Sequence, residues 1–203
     1  MSMVKISTTV SKLGATIPAI NLPPIVTCRP DAPCKHGCYA LRGHFIYPAV
    51  KNRLAENLAA YYENPQLFFD MIIEGTKLAK YCRWHSSGDI VDYDYLAGMC
   101  KVARTNKDVK YLCFTKKYEI VNQYVSDKHR IPSNLKIVFS CWKDFVPENP
   151  YNFPMTWVKF KKKEESEFNC LIPDKAIPCS GKCSTCQACW HLNKGQAIVF
   201  KKH

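Results

Sequence analysis

The amino-acid sequence predicts an α/β protein with parallel strands, arranged either as an open sheet or as a partial (βα) barrel. Short apolar segments alternate with amphipathic segments of helical periodicity, a pattern typical of parallel strands covered by helices. The chain has 203 residues with neither an internal repeat nor a linker rich in Gly and Ser, so we expect a single domain over residues 1–203. In both arrangements ligands bind in the loops that follow the strands.

The first part of the chain predicts a short strand followed by two helices. Residues 15–24 are apolar and contain three prolines, which permit an extended segment but exclude a helix. Residues 49–62 and 66–79 have apolar side chains at spacings of three and four, as amphipathic helices do. Asn64, just before Pro65, is a candidate cap for the second helix.

The remainder of the chain predicts alternating strands and helices. Asp92 is a candidate cap for the third helix. The predicted strands lie at residues 81–85, 109–115, 135–141, 155–160 and 196–200, and the predicted helices at residues 93–104 and 118–126. The loops after these strands contain residues 86–89, 116–117 and 141–143.

Seven of the twelve cysteines fall into two short runs. Because thiolate is the soft ligand that iron–sulfur clusters and zinc select, each run is a candidate metal site. A disulfide framework is typical of shorter secreted chains, and we find no signal peptide at the start, so we expect a reducing, cytoplasmic environment. The triplet, in a loop at residues 28–38, is Cys28, Cys34 and Cys38, and the quartet, in a terminal segment at residues 179–189, is Cys179, Cys183, Cys186 and Cys189.

The spacing of the quartet favours a [4Fe–4S] cluster over zinc, which remains the alternative. Four cysteines within eleven residues can hold one centre without help, whereas a zinc ribbon separates its two pairs by a longer stretch. The triplet would leave the fourth iron of a cluster open for a small molecule; alternatively, it completes a zinc site or includes a buried structural cysteine. The remaining cysteines lie in apolar patterns and are predicted core residues: Cys82, Cys100, Cys113, Cys141 and Cys170.

The chain is basic, with 29 Lys and Arg against 17 Asp and Glu and a formal net charge of +12. Basic runs are more often solvated faces than binding surfaces, but this balance suggests nucleic acid or another polyanion as a partner. No segment is apolar over the length that a bilayer requires, so we expect no membrane partner. The basic runs are Lys116 and Lys117, Lys128 and Arg130, Lys159, Lys161, Lys162 and Lys163, and Lys201 and Lys202.

Polar residues at the end of the second predicted strand form a third candidate group. Taken alone, Asp89 is more often a turn or cap residue, and His85 a satisfied buried histidine. Their position at a strand end makes Ser87, Gly88 and Asp89 candidates for a binding loop. Lys116, after the next strand, is suitably placed to meet a carboxylate or phosphate.

Several motifs, in their order along the chain, resemble the phage family named after gene product 88 of mycobacteriophages. They are the triplet, Cys-Tyr-Ala at residues 38–40, Arg-x-His-Ser-Ser-Gly-Asp at residues 83–89, Phe-Thr-Lys at residues 114–116, and Cys-Trp at the end of the quartet. The likeness covers nearly the whole chain. More distantly, the chain resembles the radical SAM superfamily, whose partial (βα) barrels carry a three-cysteine cluster loop after the first strand.

By motif position, the radical SAM likeness implies that the triplet holds a site-differentiated [4Fe–4S] cluster. It also implies that Ser87, Gly88 and Asp89 meet the amino group of S-adenosylmethionine. The triplet departs from the usual CxxxCxxC spacing, because its gaps are five and three residues and Gly37 stands where an aromatic residue is usual.

The leading hypothesis is a phage-type iron–sulfur protein in the host cytoplasm that acts as an S-adenosylmethionine-dependent or redox enzyme. The quartet would hold an auxiliary cluster, and an electron donor would be a partner. The alternative is a nucleic-acid-binding module, without catalysis, in which zinc or a cluster is structural. A third hypothesis is a non-enzymatic interaction protein that retains the fold.

Overall fold

The fold is known from a computed structural model, in which the structure describes residues 3–8, 10, 12–142, 145–160 and 167–201. The described strands are β1 (Ala19–Ile20), β2 (Tyr81–Trp84), β3 (Lys110–Thr115), β4 (Leu135–Ser140), β5 (Met155–Lys159), β6 (Ile177–Pro178) and β7 (Ala197–Lys201). They form one sheet in the order β1-β2-β3-β4-β5-β7-β6, and each pair of neighbouring strands is parallel. The α/β class with parallel strands is confirmed.

The helices of the described part are α1 (Pro48–Glu63), α2 (Pro65–Thr76), α3 (Tyr93–Thr105), α4 (Tyr118–Ser126) and the short α5 (Cys183–Cys186). Both predicted caps are present. The Asn64 side chain accepts a hydrogen bond of 2.9 Å from the Leu67 N–H, and the Asp92 side chain accepts one of 2.8 Å from the Tyr95 N–H. These bonds satisfy N–H groups that the first turn of a helix leaves unpaired.

The two faces of the sheet are covered by different parts of the chain. Because successive strand residues point to opposite faces, Trp84 and Tyr111 pack against α1 to α4, whereas Tyr81 and Leu112 point away from them. The second face is covered by residues close to the chain ends, namely Leu13, Ile17, Cys189, Trp190 and Leu192. The quartet segment is therefore part of a core layer.

The predicted elements agree with the structure to within a few residues. The largest difference at a helix end is in α2, which stops at Thr76 rather than at residue 79. β6 and α5 were not predicted, because segments of two and four residues give no periodic pattern. β1 and β6 lie at opposite edges of the described sheet, so the sheet is not a closed barrel. Its finer description as a partial barrel stays a prediction.

The prediction that Cys170 is a core residue is wrong. Cys170 is exposed, because it lies in a 3₁₀ turn (Glu167–Leu171) rather than in a strand or a helix. The other cysteines predicted to be core residues are buried: Cys82, Cys100, Cys113 and Cys141.

Some predicted basic residues lie outside the described residues. They are Lys143 in the loop after β4, Lys161, Lys162 and Lys163 in the basic run, and Lys202 near the end. Within the part of the chain that the structure describes, no helix has the length and apolar character needed to cross a membrane.

Candidate metal centres

The triplet lies in the loop between β1 and α1, at the end of the sheet where the strands finish. The loop is built from three 3₁₀ turns, Pro33–Gly37, Tyr39–Leu41 and Gly43–Ile46. The three cysteines are each half-buried. Burial and then the charge of Asp89 raise the pKa of Cys28 to about 11, and the other two triplet thiols also raise it. The three thiols therefore lie within electrostatic reach of one another, and Cys28 also lies within reach of the Asp89 carboxylate.

The loop after β2 is joined closely to the segment that leads into the triplet. The Ser87 hydroxyl donates to the Leu22 carbonyl over 3.0 Å, and the Asp89 N–H donates to the Thr27 hydroxyl over 3.0 Å. Gly88 has φ +83°, and a Cβ there would lie 2.7 Å from the Thr27 Oγ1 and 2.9 Å from the Leu22 carbonyl oxygen. Only glycine fits this contact without strain. The two loops therefore form one unit.

The Asp89 carboxylate is buried, with 6% of the residue exposed. It accepts hydrogen bonds from the Ile90 N–H (2.8 Å), the Thr115 hydroxyl (2.6 Å) and the Lys116 N–H (2.9 Å). Burial raises the pKa of Asp89, and these bonds oppose the rise, with that from Lys116 first among them. Because an ionised carboxylate accepts about four hydrogen bonds, one acceptor position remains. Asp89 connects the loops after β2 and β3 beside the triplet.

Lys116 and Tyr39 complete the surroundings of the triplet. The Lys116 Nζ lies 5.9 Å from the centroid of the Trp142 ring. Burial raises the pKa of Cys38, and the Lys116 charge is among the influences that lower it. The Tyr39 hydroxyl donates to the Ser86 carbonyl, which fastens the triplet loop to the loop after β2. The structure thus brings all the residues predicted at this site into one neighbourhood.

The quartet surrounds a single small cavity. All four cysteines line this cavity, whose volume is about 20 Å³. Burial raises the pKa of Cys189 to about 12, and Cys183, Cys179 and Cys186 each raise it further. Burial also raises the pKa of Cys183, with contributions from Cys179 and Cys186. The four cysteines, which are spread over eleven residues, therefore line one cavity and lie within electrostatic reach of one another.

Hydrogen-bond donors point at the sulfur atoms of the quartet. The Gly181 N–H lies 3.4 Å from the Cys179 Sγ. The pKa of Cys186 is lowered, first by a hydrogen bond from the Ala188 backbone and then by one from the Ser180 side chain. Donors of this kind stabilise a thiolate, the form in which cysteine binds a metal.

The quartet segment is anchored to the sheet by both hydrogen bonds and packing. The Trp190 Nε1 donates to the Cys82 carbonyl over 3.0 Å, and the Cys179 N–H donates to the Val199 carbonyl over 2.9 Å. Trp190 is 4% exposed, and its ring centroid lies 5.6 Å from that of Tyr81. These contacts fix the quartet against β2 and β7.

Arg83 lies between the two cysteine groups. It is half-buried on the sheet face that the quartet segment covers, with its guanidinium carbon 4.3 Å from the Phe114 ring centroid. Its charge opposes the effect of burial on the pKa of Cys183 and of Cys189. Its charge also lowers the pKa of Tyr39, which desolvation of the hydroxyl raises although 59% of the residue is exposed. One cation therefore acts on the quartet thiols directly and reaches the triplet loop through a tyrosine.

His85 has a structural environment. It is buried with φ +59°, and its Nε2 lies 3.1 Å from the Tyr95 hydroxyl oxygen. Its Nδ1 lies 3.7 Å from the Cys113 Sγ. Burial, followed by the charge of Arg83, lowers the pKa of His85 to about 3. The imidazole is therefore neutral at physiological pH and serves as a core hydrogen-bonding group.

Three residues that shape these sites had no predicted role: Tyr39, Arg83 and Thr115. A signal existed for Arg83, because the alternation of β2 places it on the face opposite Cys82 and Trp84. The contact of Tyr39 with residue 86 and that of Thr115 with Asp89 span 47 and 26 residues along the chain, and no local pattern encodes them.

The donor chemistry of both groups suits a thiolate-bound metal centre. Within the described ranges, no three or more His, Cys, Asp or Glu side chains are grouped in a way that could hold a metal ion. Four cysteines nevertheless line one cavity, and the three triplet thiols act on one another electrostatically. Soft sulfur donors with peptide N–H groups directed at them are the surroundings typical of an iron–sulfur centre.

The fold and these sites define an α/β protein with an open parallel sheet and two groups of free cysteines, one beyond the strand ends and one under a sheet face. Comparison with known families then identifies it more closely. The chain belongs to the gene product 88 family, whose family model matches residues 3–192. No curated protein and no solved structure gives a significant match. The more distant likeness to radical SAM enzymes stays a prediction.

Proposed function

We propose that this protein binds iron–sulfur clusters at both cysteine groups and acts at the triplet as a radical-SAM-like or redox enzyme. The observation that carries the proposal is the quartet, whose four thiols line one cavity and include sulfur atoms that accept hydrogen bonds. Iron–sulfur clusters are held by cysteine thiolates and tuned by hydrogen bonds to their sulfur atoms. The quartet would hold a complete cluster.

The triplet supports a different role, because three thiolates leave one iron of a [4Fe–4S] cluster without a protein ligand. Such an open position would supply a binding and electron-transfer point for a small molecule, as the open position of catalytic zinc does for water. The triplet also lies at the carboxyl ends of the strands, where α/β folds bind ligands. This position supports an enzymatic role.

The loops beside the triplet supply polar groups for a ligand such as S-adenosylmethionine. Asp89 retains one acceptor position, which suits an ammonium group. Lys116 lies beside Cys38 and Asp89 and suits a carboxylate. The strand order from β1 to β5 follows the chain, with α1 to α4 on one face, as in singly wound (βα) folds. These features support the radical-SAM-like interpretation.

The first experiment is anaerobic purification with iron, acid-labile sulfide and zinc all quantified. We expect a brown protein that contains iron and sulfide, with a total that falls when the quartet or the triplet is replaced by alanine. Cys170→Ala is the matched control, because this cysteine is exposed and belongs to neither group. A colourless protein with stoichiometric zinc and no sulfide would contradict the proposal and favour a structural zinc site.

The second experiment tests S-adenosylmethionine. Adding it at millimolar concentration to the reduced protein should perturb the electron paramagnetic resonance spectrum of the triplet cluster, and Asp89→Ala should weaken the perturbation. Thr115→Val is the control, because it removes one hydrogen bond to Asp89 but keeps the carboxylate. If the two variants weaken the effect equally, Asp89 acts by holding the loops. If the wild-type spectrum does not change, the radical-SAM-like role is ruled out.

A further inference from the structure

Three lysines lie near one another at the end of the sheet opposite the triplet. Lys80 comes just before β2, Lys110 begins β3, and Lys136 is the second residue of β4. β2, β3 and β4 are adjacent and parallel, and Lys110 is level with Tyr81 whereas Lys136 is level with Leu112. The three lysines therefore form a diagonal row across the amino ends of three neighbouring strands. We call Lys80, Lys110 and Lys136 the lysine row.

The lysine row surrounds one tyrosine. The Lys80 Nζ lies 5.7 Å and the Lys110 Nζ 5.8 Å from the centroid of the Tyr81 ring. Lys136 lies level with Leu112, which belongs to the same face of the sheet as Tyr81. The Tyr81 hydroxyl oxygen is 3.2 Å from the Nε2 of His191, which is exposed. The three positive charges therefore lie near one point on the surface.

No member of the lysine row forms an ion pair with a carboxylate in the described part of the chain. The ion pairs found there all lie elsewhere. Asp108, two residues before Lys110, forms none of them. Lys136 is half-buried. An external anion would thus supply a charge partner that the described residues do not provide within ion-pair distance.

We propose that the lysine row is a binding surface for the phosphodiester backbone of nucleic acid. Neighbouring strands lie about 4.8 Å apart and a strand rises about 3.3 Å per residue, so a diagonal that crosses three strands and rises three residues is roughly 14 Å long. One nucleic-acid strand rises about 3.4 Å per phosphate, and such a row therefore spans about four nucleotides. Lysine meets phosphate as a point charge without reading sequence, and the net charge of +12 favours approach of a polyanion. The surface lies at the opposite end of the sheet from the triplet, and it contacts the quartet segment through Tyr81 and His191.

The test is binding of the full-length protein to a fluorescein-labelled 20-nucleotide single strand, followed by anisotropy at several salt concentrations. Three phosphate contacts contribute a slope of about −2 to log K against log salt. The triple variant Lys80→Gln, Lys110→Gln and Lys136→Gln should lose that part of the slope and bind roughly tenfold more weakly at physiological salt. Lys80→Gln alone, at an exposed position, should lose about a third of it.

The control variant carries the same change in net charge on the helical side of the sheet. It is Lys51→Gln, Arg53→Gln and Lys101→Gln, at exposed positions of α1 and α3. We expect it to keep most of the slope. Equal losses in the two triple variants would overturn the proposal, because they would show that net charge alone is responsible.

Two further experiments distinguish nucleic acid from other anions that could bind the lysine row. Inorganic phosphate at equal phosphate concentration should compete poorly, and vesicles rich in phosphatidylserine should not bind through the lysine row. The proposal is overturned if the single strand does not bind, if phosphate competes as well as the strand, or if vesicles bind and lose binding in the lysine-row variant. Thermal melting checks that each variant is folded. If the triple variant does not fold, the salt dependence of binding by Lys80→Gln tests the proposal instead. Because iron and sulfide are measured on the same samples, loss of the clusters would not be mistaken for loss of this surface.

Discussion

The triplet loop and the quartet segment both gather thiols, but they are attached to the sheet in opposite ways. In the three turns of the triplet loop, all of whose residues the structure describes, Ala40 is the one buried residue. Several large apolar side chains around the triplet are exposed: Val26, Tyr39, Leu41, Ile46 and Tyr47. The quartet segment instead contributes Cys189, Trp190 and Leu192 to a core layer.

The quartet segment is therefore part of the core, whereas the triplet loop lies largely on the surface. Removing apolar contacts from a buried layer lowers the free energy of unfolding. A change in a loop that buries few side chains has little effect on stability. The quartet should therefore govern stability, and the triplet should govern ligand binding. Each of the following predictions compares one change in each region.

The largest expected effect comes from the cysteines themselves. If the quartet holds a metal centre as proposed, Cys186→Ala should lower the free energy of unfolding by on the order of 5 kcal/mol, because metal binding at a structural site contributes directly to folding. For a chain of 203 residues this corresponds to a fall in Tm of roughly 10–20 °C. Cys34→Ala should change Tm by much less. Anaerobic thermal melts of both variants measure this, and an equal fall in the two would refute the distinction.

The next effect concerns the aromatic anchor of the quartet. Trp190→Ala should cost about 3–5 kcal/mol, the range found for large aromatic residues in cores. Trp190→Phe should cost about 1–3 kcal/mol, since it leaves the buried Cys82 carbonyl without its donor. Leu41→Ala in the triplet loop, where the side chain is 47% exposed, should cost under about 0.5 kcal/mol. Chemical denaturation gives all three values, and a Leu41 cost near that of Trp190 would show that the loop is packed.

Much of the fold and the position of the two cysteine groups could be predicted from the sequence. The grouping of seven cysteines, the strand and helix bounds and the caps at Asn64 and Asp92 are local patterns, and the structure follows them closely. The burial of Trp190 could not be predicted, because its partner Cys82 is 108 residues away along the chain. Cys170 was misassigned because apolar residues neighbour it in sequence, but the turn that contains it buries Phe168 and leaves Cys170 exposed.

The site residues also include some features that the sequence predicts and others that it does not. Position after a strand was enough to select Ser87, Gly88, Asp89 and Lys116 as neighbours of the triplet. It did not predict that the Asp89 carboxylate accepts three hydrogen bonds from the protein itself. Those bonds depend on how the loops after β2 and β3 contact each other. Long-range contacts of this kind are set by the register of parallel strands, which no short motif encodes.

A smaller effect is expected from two glycines, one on each side of the junction between the triplet loop and the sheet. Gly88→Ala should cost about 1–3 kcal/mol, because φ is +83° and the added Cβ would clash with Thr27 and Leu22. It should also weaken cluster binding at the triplet. Gly37→Ala is the control, since nothing lies within 4 Å of its Cβ position, and it should be neutral or slightly stabilising. Thermal melts and iron quantification compare the stability and the iron content of the two variants. A Gly88→Ala variant as stable as the wild type would show that the two loops are not one unit.

The smallest effect concerns the charges beside each group and rests on both clusters being present. Arg83 acts directly on Cys183 and Cys189, whereas it reaches the triplet loop only through Tyr39. Removing a cation destabilises the more negative, reduced state of a cluster. Arg83→Gln should therefore lower the reduction potential of the quartet cluster by tens of millivolts and that of the triplet cluster by less.

Lys116→Gln is the matched reverse case, because the Lys116 charge acts on Cys38 in the triplet and is not among the influences on the quartet thiols. It should lower the potential of the triplet cluster and leave that of the quartet nearly unchanged. Redox titrations followed by electron paramagnetic resonance, with each cluster assigned in a variant that lacks the other, measure the four shifts. If both variants shift both reduction potentials equally, the two cysteine groups share one electrostatic environment. The charges around the structural group and the functional group would then not be separate.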